Sequence, residues 1–223
     1  MFVIAHRGGA GLAPENTLKA LTTGIASGAD ALECDVRITK DKKIILCHDD
    51  TLLRIAGKNK KISDLTLKEI CLTPTNSGAP IPTLSEALDT AKNIPLVIEA
   101  KGNNWAKLLA DELKKHTGPK PMVISTNHPE LFNFRQKIDD IETYAINDNA
   151  PFNAIHNAKL LGLSGISTGF SHYNPFLYKY AKYKNLKMIT SPINRPLFVR
   201  FFHFLYPKIM ITTDYPDKLA KYK

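Results

Sequence analysis

Cysteine is scarce in this 223-residue chain, and long apolar runs are missing. Cys34, Cys47 and Cys71 are odd in number and lack metal-site spacing, which speaks against a disulfide framework and fits a reducing compartment. Cys34 and Cys47 are expected to pack as small apolar residues. No apolar stretch approaches the roughly 20 residues of a membrane-spanning helix. Only Met1 to Ala5 precede His6, too little for the apolar stretch of roughly 7 to 15 residues that a secretory leader needs. The expectation is therefore a soluble, cytoplasmic protein. Zinc-finger spacing, a helix-turn-helix signal and an aromatic-glycine RNA-recognition run are all absent, so nucleic acid is not expected as a partner. No long Ser, Gln or Gly tract suggests a disordered tail or a collagenous repeat. Acids are in deficit as well: 21 Asp and Glu face 30 Lys and Arg, giving +9, which favours an anionic partner without naming it.

What is present is a regular alternation. Short β-rich apolar runs at Phe2 to Ala5, Ala31 to Ile38, Leu96 to Ala100, Met122 to Ser125, Thr143 to Ile146, Gly165 to Ser167, Lys187 to Thr190 and Ile209 to Thr212 make eight candidate strands. Helical spacing or helix starts separate them, from Asn16 to Ala26 at one end to Asp217 to Tyr222 at the other. Eight strand-then-helix units predict a TIM (β/α)8 barrel, a single domain over residues 1–223. The alternation breaks once. Ile44 to Cys47 reads as an extra strand, and residues 49–82 are rich in Lys, Thr, Pro and Gly, so a short insertion after the second strand is expected, with a surface loop at Thr73 to Gly78.

The chemistry-bearing residues come in a fixed order. His6-Arg7 is followed by Glu33-Cys34-Asp35, then by His48, then by Glu99 and Lys101. Strand alternation puts Glu33 and Asp35 on one face, and Glu99 and Lys101 on one face of their own strand. In barrel enzymes, catalytic groups gather at the C-terminal ends of strands, where these residues are expected. Glu33, Asp35 and Glu99 supply hard oxygen ligands. All-oxygen ligation points to Mg2+ or Ca2+, with Mn2+ also compatible, and argues against zinc. Arg7 and Lys101 offer cations for a phosphate, and His6 and His48 can move protons near neutral pH. A plain salt-bridge cluster is the duller reading, but burying these acids without a cation is costly.

Seven ordered blocks carry a family resemblance: Ala5 to Thr17 (AHRGGAGLAPENT), Gly28 to Arg37 (GADALECDVR), His48 to Arg54 (HDDTLLR), Asp64 to Leu67 (DLTL), Ile81 to Leu88 (IPTLSEAL), Val97 to Lys101 (VIEAK) and Ile211 to Asp217 (ITTDYPD). The chain resembles the glycerophosphodiester phosphodiesterase family over nearly its whole length. The resemblance implies the same barrel and a metal-dependent hydrolase of lipid and glycerol metabolism that cleaves a glycerophosphodiester to glycerol 3-phosphate and an alcohol. It also implies attack by the neighbouring glycerol hydroxyl through a cyclic phosphate that water later opens. His6 as acid and His48 as base is the preferred assignment of the proton work. Glu15 and Asn16 read as supports behind these residues at a helix start, with Asn16 as the cap. Two other readings stand beside this one, a lysophospholipase D-like enzyme acting on lysophospholipids and a non-catalytic phosphate-binding barrel.

The resemblance thins toward the C-terminus. The family's Trp-Thr-Val-Asn block on strand seven stands here as Ser191-Pro192-Ile193-Asn194, and its Ser-Phe-Asn as Ser125-Thr126-Asn127. An aromatic wall of the glycerol pocket is then missing or supplied by Phe170, Tyr173 or Trp105. Among the remaining histidines, His128 is expected on a strand-to-helix loop facing the site, His116 at a helix end, and His156, His172 and His203 in structural or solvent-facing roles. Phe198 to Tyr206 is unusually aromatic. It reads first as the buried face of the seventh helix, and second as a peripheral grip on a lipid surface.

Overall fold

The computed structural model describes residues 1–220 and 222. Eight parallel strands follow one another around a ring: β1 (Val3–Ala5), β2 (Ala31–Ile38), β3 (Leu96–Ala100), β4 (Met122–Ser125), β5 (Glu142–Ile146), β6 (Gly165–Thr168), β7 (Lys187–Thr190) and β8 (Ile209–Thr213). The ring closes where β8 pairs with β1, Val3 opposite Ile211 and Ala5 opposite Thr213. A helix follows each strand: α1 (Leu18–Ala26), α2 (Leu84–Ala91), α3 (Ala106–Leu113), α4 (His128–Arg135), α5 (Pro151–Leu160), α6 (Pro175–Tyr183), α7 (Pro196–Leu205) and α8 (Pro216–Ala220). This is the (β/α)8 barrel that the alternation predicts, and strand bounds agree to within a residue.

Parallel strands in such a barrel are buried on both faces, so their residues sort into two apolar layers. Ile4, Ala31, Val97, Ile124, Tyr144 and Ile189 fill the barrel interior. Cys34, Val36, Ile98 and Ala100 point outward into the larger core beneath the helices, with Leu21, Leu109, Phe134 and Phe202. Burying a side chain of Leu, Ile or Phe size contributes roughly 1.5–3 kcal/mol. Outward Cys34 and Ile98 leave Glu33, Asp35 and Glu99 turned inward, as strand alternation requires.

The first turn of the site is shaped by glycine. Gly8 has φ +82°, and a Cβ there would lie 2.7 Å from the Leu21 amide nitrogen, so α1 can approach the His6–Gly8 turn only because the side chain is absent. The α1 N-cap is Thr17, whose Oγ1 accepts from the Ala20 amide at 3.1 Å. Asn16 is therefore not the cap. It sits at φ 54° with its amide turned into the barrel mouth.

The excursion after β2 has more order than its composition suggests. Ile44–Leu46 extends β2 antiparallel, Thr51–Leu52 pairs with Lys58–Lys61, and Leu67–Cys71 is a short helix. Ile45, Cys47, Leu52, Ile62, Leu65, Ile70 and Ile81 form a satellite core beneath it. Its apolar residues are too widely spaced to show a period, yet they converge once the segment folds back on the barrel rim. Thr73 to Gly78 is a loop, as expected.

Candidate active site

One cleft of about 350 Å³ opens at the C-terminal ends of the strands. Its lining includes His6, Arg7, Glu33, His48, Glu99 and Lys101, all singled out in the sequence. Asp35 lies beneath, 1% exposed. Ligand oxygens of Glu33, Asp35 and Glu99 all fall within 4.8 Å of one another. The three carboxylates come from adjacent strands, because Asp35 of β2 stands in register with Glu99 of β3.

Cations compensate part of this charge. Lys101 Nζ lies 3.2 Å from Asp35 Oδ1 and contacts Glu99. Arg7 Nε is 3.3 Å from Asp35 Oδ2, while its Nη1 donates to both Glu15 oxygens at 3.0 Å. Asn16 holds Asp35 from behind, donating to Oδ2 at 2.8 Å and accepting from the Asp35 amide at 3.0 Å. Burial pushes the Asp35 carboxyl up, but Lys101, the Asn16 hydrogen bond and Arg7 outweigh it and hold the group below its ordinary value.

Glu33 lacks that compensation. It accepts the Arg7 amide at 2.7 Å on Oε2, while Oε1 is buried with no hydrogen-bond partner among the described residues. Burial and the Asp35 charge push its carboxyl up to about 8. A hard divalent cation fits this donor set: the ligands are all oxygen, they converge, and a buried one is left without a donor. Arg7 itself takes the left-handed backbone at φ 49°, a strained conformation costing of order 1–3 kcal/mol, which turns its amide onto Glu33.

Both imidazoles are tethered through Nδ1. His6 donates to Asp214 Oδ1 at 2.7 Å, leaving its Nε2 directed inward, 3.9 Å from Glu33 Oε2. Burial lowers the His6 pKa, but the Asp214 hydrogen bond and the Glu33 charge outweigh it, and the net value is raised. His48 donates to Asp49 Oδ1 at 2.7 Å. Asp49 also takes Arg54 Nε at 2.6 Å and is pulled to about 2, first by Arg54. Arg54 reaches Glu15 Oε1 at 2.7 Å, which ties the insertion to the Pro14–Thr17 turn.

The model of the glycerophosphoryl diester phosphodiesterase family matches residues 6–217. The chain belongs to that family. Among its relatives, YhdW of Bacillus subtilis is 36% identical over 143 residues, 60% of this chain and 58% of YhdW. Human lysophospholipase D GDPD1 is 37% identical over 117 residues, 45% of this chain and 36% of that protein. The chain thus spans about half or less of the length of these curated relatives. An Oleispira antarctica phosphodiesterase, solved in complex with the product sn-glycerol-3-phosphate, superposes with a TM-score of 0.91 at 24% identity, covering 99% of this chain and 96% of that one. That likeness shows the shared barrel.

Within this family member, some site features were not read from sequence. Asp214 lies far along the chain from His6, but the register of Ala5 with Thr213 makes residues 6 and 214 neighbours, so barrel closure is the signal that finds it. Asn194 then orients Asp214, donating to Oδ2 at 2.6 Å. Asp49 is adjacent to His48 in sequence, a signal plainly available. None of the three aromatics offered for the pocket wall lines the cleft among the described residues. Trp105 is 1% exposed against Phe134, and Tyr173 is buried with its hydroxyl donating to the Ile189 carbonyl, because both rings fill the layer beneath the helices. Phe170 stands at the rim, and the cleft wall there is Thr126, Ser167, Thr168 and Ser191. His128, expected on a loop facing the site, is the first residue of α4 and is not in the cleft lining; its Nε2 donates to the Ile146 carbonyl at 3.0 Å.

Proposed function

We propose that the chain is a divalent-metal-dependent phosphodiesterase that cleaves glycerophosphodiesters to glycerol 3-phosphate and an alcohol. The observation that carries this reading is the convergence of Glu33, Asp35 and Glu99 in one cleft with His6, His48, Arg7 and Lys101. Glu33, Asp35 and Glu99 would hold Mg2+ or Ca2+, which when bound supplies Lewis-acid neutralisation of a phosphoryl oxygen. Arg7 and Lys101 clamp the remaining phosphate charge, held in place by Glu15 and Asp35. His48 takes the proton of the attacking glycerol hydroxyl, and His6 protonates the departing alkoxide, giving a cyclic phosphate that water opens with the two roles exchanged. The Asp214 hydrogen bond and the Glu33 charge raise the His6 pKa against the effect of burial, which suits the acid role. Asn16 and Glu15 fix the angles of Asp35 and Arg7.

Choline release from glycerophosphocholine, with and without chelator, tests this. Chelator-sensitive release with glycerol 3-phosphate as co-product is expected, and catalysis that survives exhaustive chelation overturns the metal assignment. A second reading, action on lysophospholipids, is supported by the similarity to human lysophospholipase D GDPD1. Choline release from lysophosphatidylcholine in the same assay decides it.

A further inference from the structure

The aromatic run at α7 is only half used by the core. Val199 and Phe202 point inward, and Phe202 packs on Tyr173 and Tyr206 with centroids 5.6 and 5.0 Å apart. The opposite face carries Leu197, Phe201, Phe204 and Leu205, which are 76%, 60%, 82% and 45% exposed. These four positions follow the i, i+4, i+7, i+8 spacing of a second apolar stripe, this one facing solvent. Phe176 on neighbouring α6 is 79% exposed and extends it.

Charge is one-sided here. From Asn149 to Thr213 the chain has no aspartate or glutamate, against eight lysines and arginines. Lys179, Lys182 and Lys184 lie along or just past α6, and Arg195 and Arg200 at the start and middle of α7. Among the described residues, only Lys187 of the eight has a carboxylate in ion-pair contact, Glu142. Lys182 and Lys184 instead lie over tyrosine rings, at 5.5 Å from Tyr178 and 5.1 Å from Tyr183.

The stripe also begins at the cleft. Phe198, at the start of α7, meets Phe170 edge-on at 5.5 Å, and the Phe170 amide donates to Oγ of Ser191, a residue of the cleft wall.

We infer that the outer faces of α6 and α7 dock on an anionic lipid bilayer, with the Phe and Leu stripe inserted at the headgroup boundary and the lysines and arginines on the lipid phosphates. Phenylalanine and leucine beside cations that, Lys187 apart, have no carboxylate in ion-pair contact among the described residues is the composition of an interfacial helix. Each Lys or Arg near an anionic surface strengthens binding about fivefold. A second copy of this chain would set the same positive charge against itself. A nucleic acid would leave Leu197 and Leu205 with no base to stack on. Docking in this way brings the rim at Phe170 and Phe198 to the membrane, where a substrate with an acyl chain resides.

Sedimentation with vesicles tests the docking without reference to catalysis, so its failure is separable from failure of the phosphodiesterase reading. The full chain should sediment with phosphatidylglycerol-phosphatidylcholine vesicles at least about tenfold more strongly than with phosphatidylcholine alone, and high salt should weaken it. Phe201→Ser with Phe204→Ser should lose at least about tenfold of that binding while leaving hydrolysis of soluble glycerophosphocholine unchanged. Phe201→Trp supplies a readout independent of loss, since the emission of the introduced indole should shift to the blue on anionic vesicles. Equal partitioning of the parent and the double variant overturns the inference. So does an unshifted emission from the Phe201→Trp protein, or self-association or RNA binding that replaces vesicle binding and is abolished by the same pair of serine substitutions.

Discussion

Glu33→Gln should stabilise the metal-stripped protein while disabling it. Glu33 is 3% exposed, its Oε1 has no donor among the described residues, and its carboxyl sits at about 8 against an ordinary 4.5. A carboxyl with a raised folded pKa contributes stability that is fully present below the unfolded value and is lost as pH rises through the folded one. The window therefore runs from about 4.5 to about 8. At roughly 1.4 kcal/mol per pH unit, the ceiling on that loss is about 5 kcal/mol, and relaxation around the ionised group reduces it to about 2–4 kcal/mol. Glutamine keeps an oxygen for the Arg7 amide and has no charge to bury. Denaturant unfolding in chelator at pH 5 and pH 9 measures the effect. The variant and the parent should nearly coincide at the lower pH, and the variant should be the more stable by about 2–4 kcal/mol at the higher. Added Mg2+ or Ca2+ should raise the parent's stability at pH 9 and leave the variant unmoved. A chelated parent that stays level with the variant across that range would refute the reasoning, because Glu33 would then be compensated without a cation.

Asn16→Ala should cost about 2–4 kcal/mol in thermal unfolding, because Asp35 loses two hydrogen bonds in a buried setting and alanine inherits φ 54°. Metal affinity by calorimetry should fall roughly 10–100-fold, and Asn16→Gly should recover only the backbone part. Asp214→Asn should lower kcat on glycerophosphocholine about 10²-fold. It should also move the alkaline limb of the pH profile downward, since the charge that raises His6 is gone; an unmoved limb assigns the acid elsewhere. Gly8→Ala should destabilise by about 2–4 kcal/mol, because its Cβ meets the α1 backbone at 2.7 Å and φ +82° is strained for alanine.

The barrel was legible because its strands are short apolar runs at regular intervals, and because Glu33 and Asp35, like Glu99 and Lys101, obey a period of two. Less legible were features set by distance along the chain. Asp214 becomes a partner of His6 only once β8 closes on β1. Asn16 looked like a cap because Asn favours that position, yet Thr17 competes for it and wins, freeing the Asn16 amide for Asp35. The insertion hid its satellite core because Ile45, Ile62 and Ile81 come from separate short elements. The aromatic run of α7 was apolar on both sides of the helix, and sequence alone does not say which side meets the barrel.

Under the proposed function, one barrel mouth would hold an acid and a base of the same residue type, His6 and His48. Each is fixed by a carboxylate on Nδ1, which leaves Nε2 free of that tether. Their surroundings then differ. Asp214 is oriented by the neutral Asn194 and keeps its full charge on His6, with Glu33 adding to it from the other side. Asp49 instead divides its hydrogen bonds between His48 and the guanidinium of Arg54. The raised pKa of His6 suits the acid of the proposed mechanism, which would assign the base to His48. Because Arg54 also grips Glu15, which in turn holds Arg7, the insertion that supplies Arg54 would couple the proposed base to the proposed phosphate clamp.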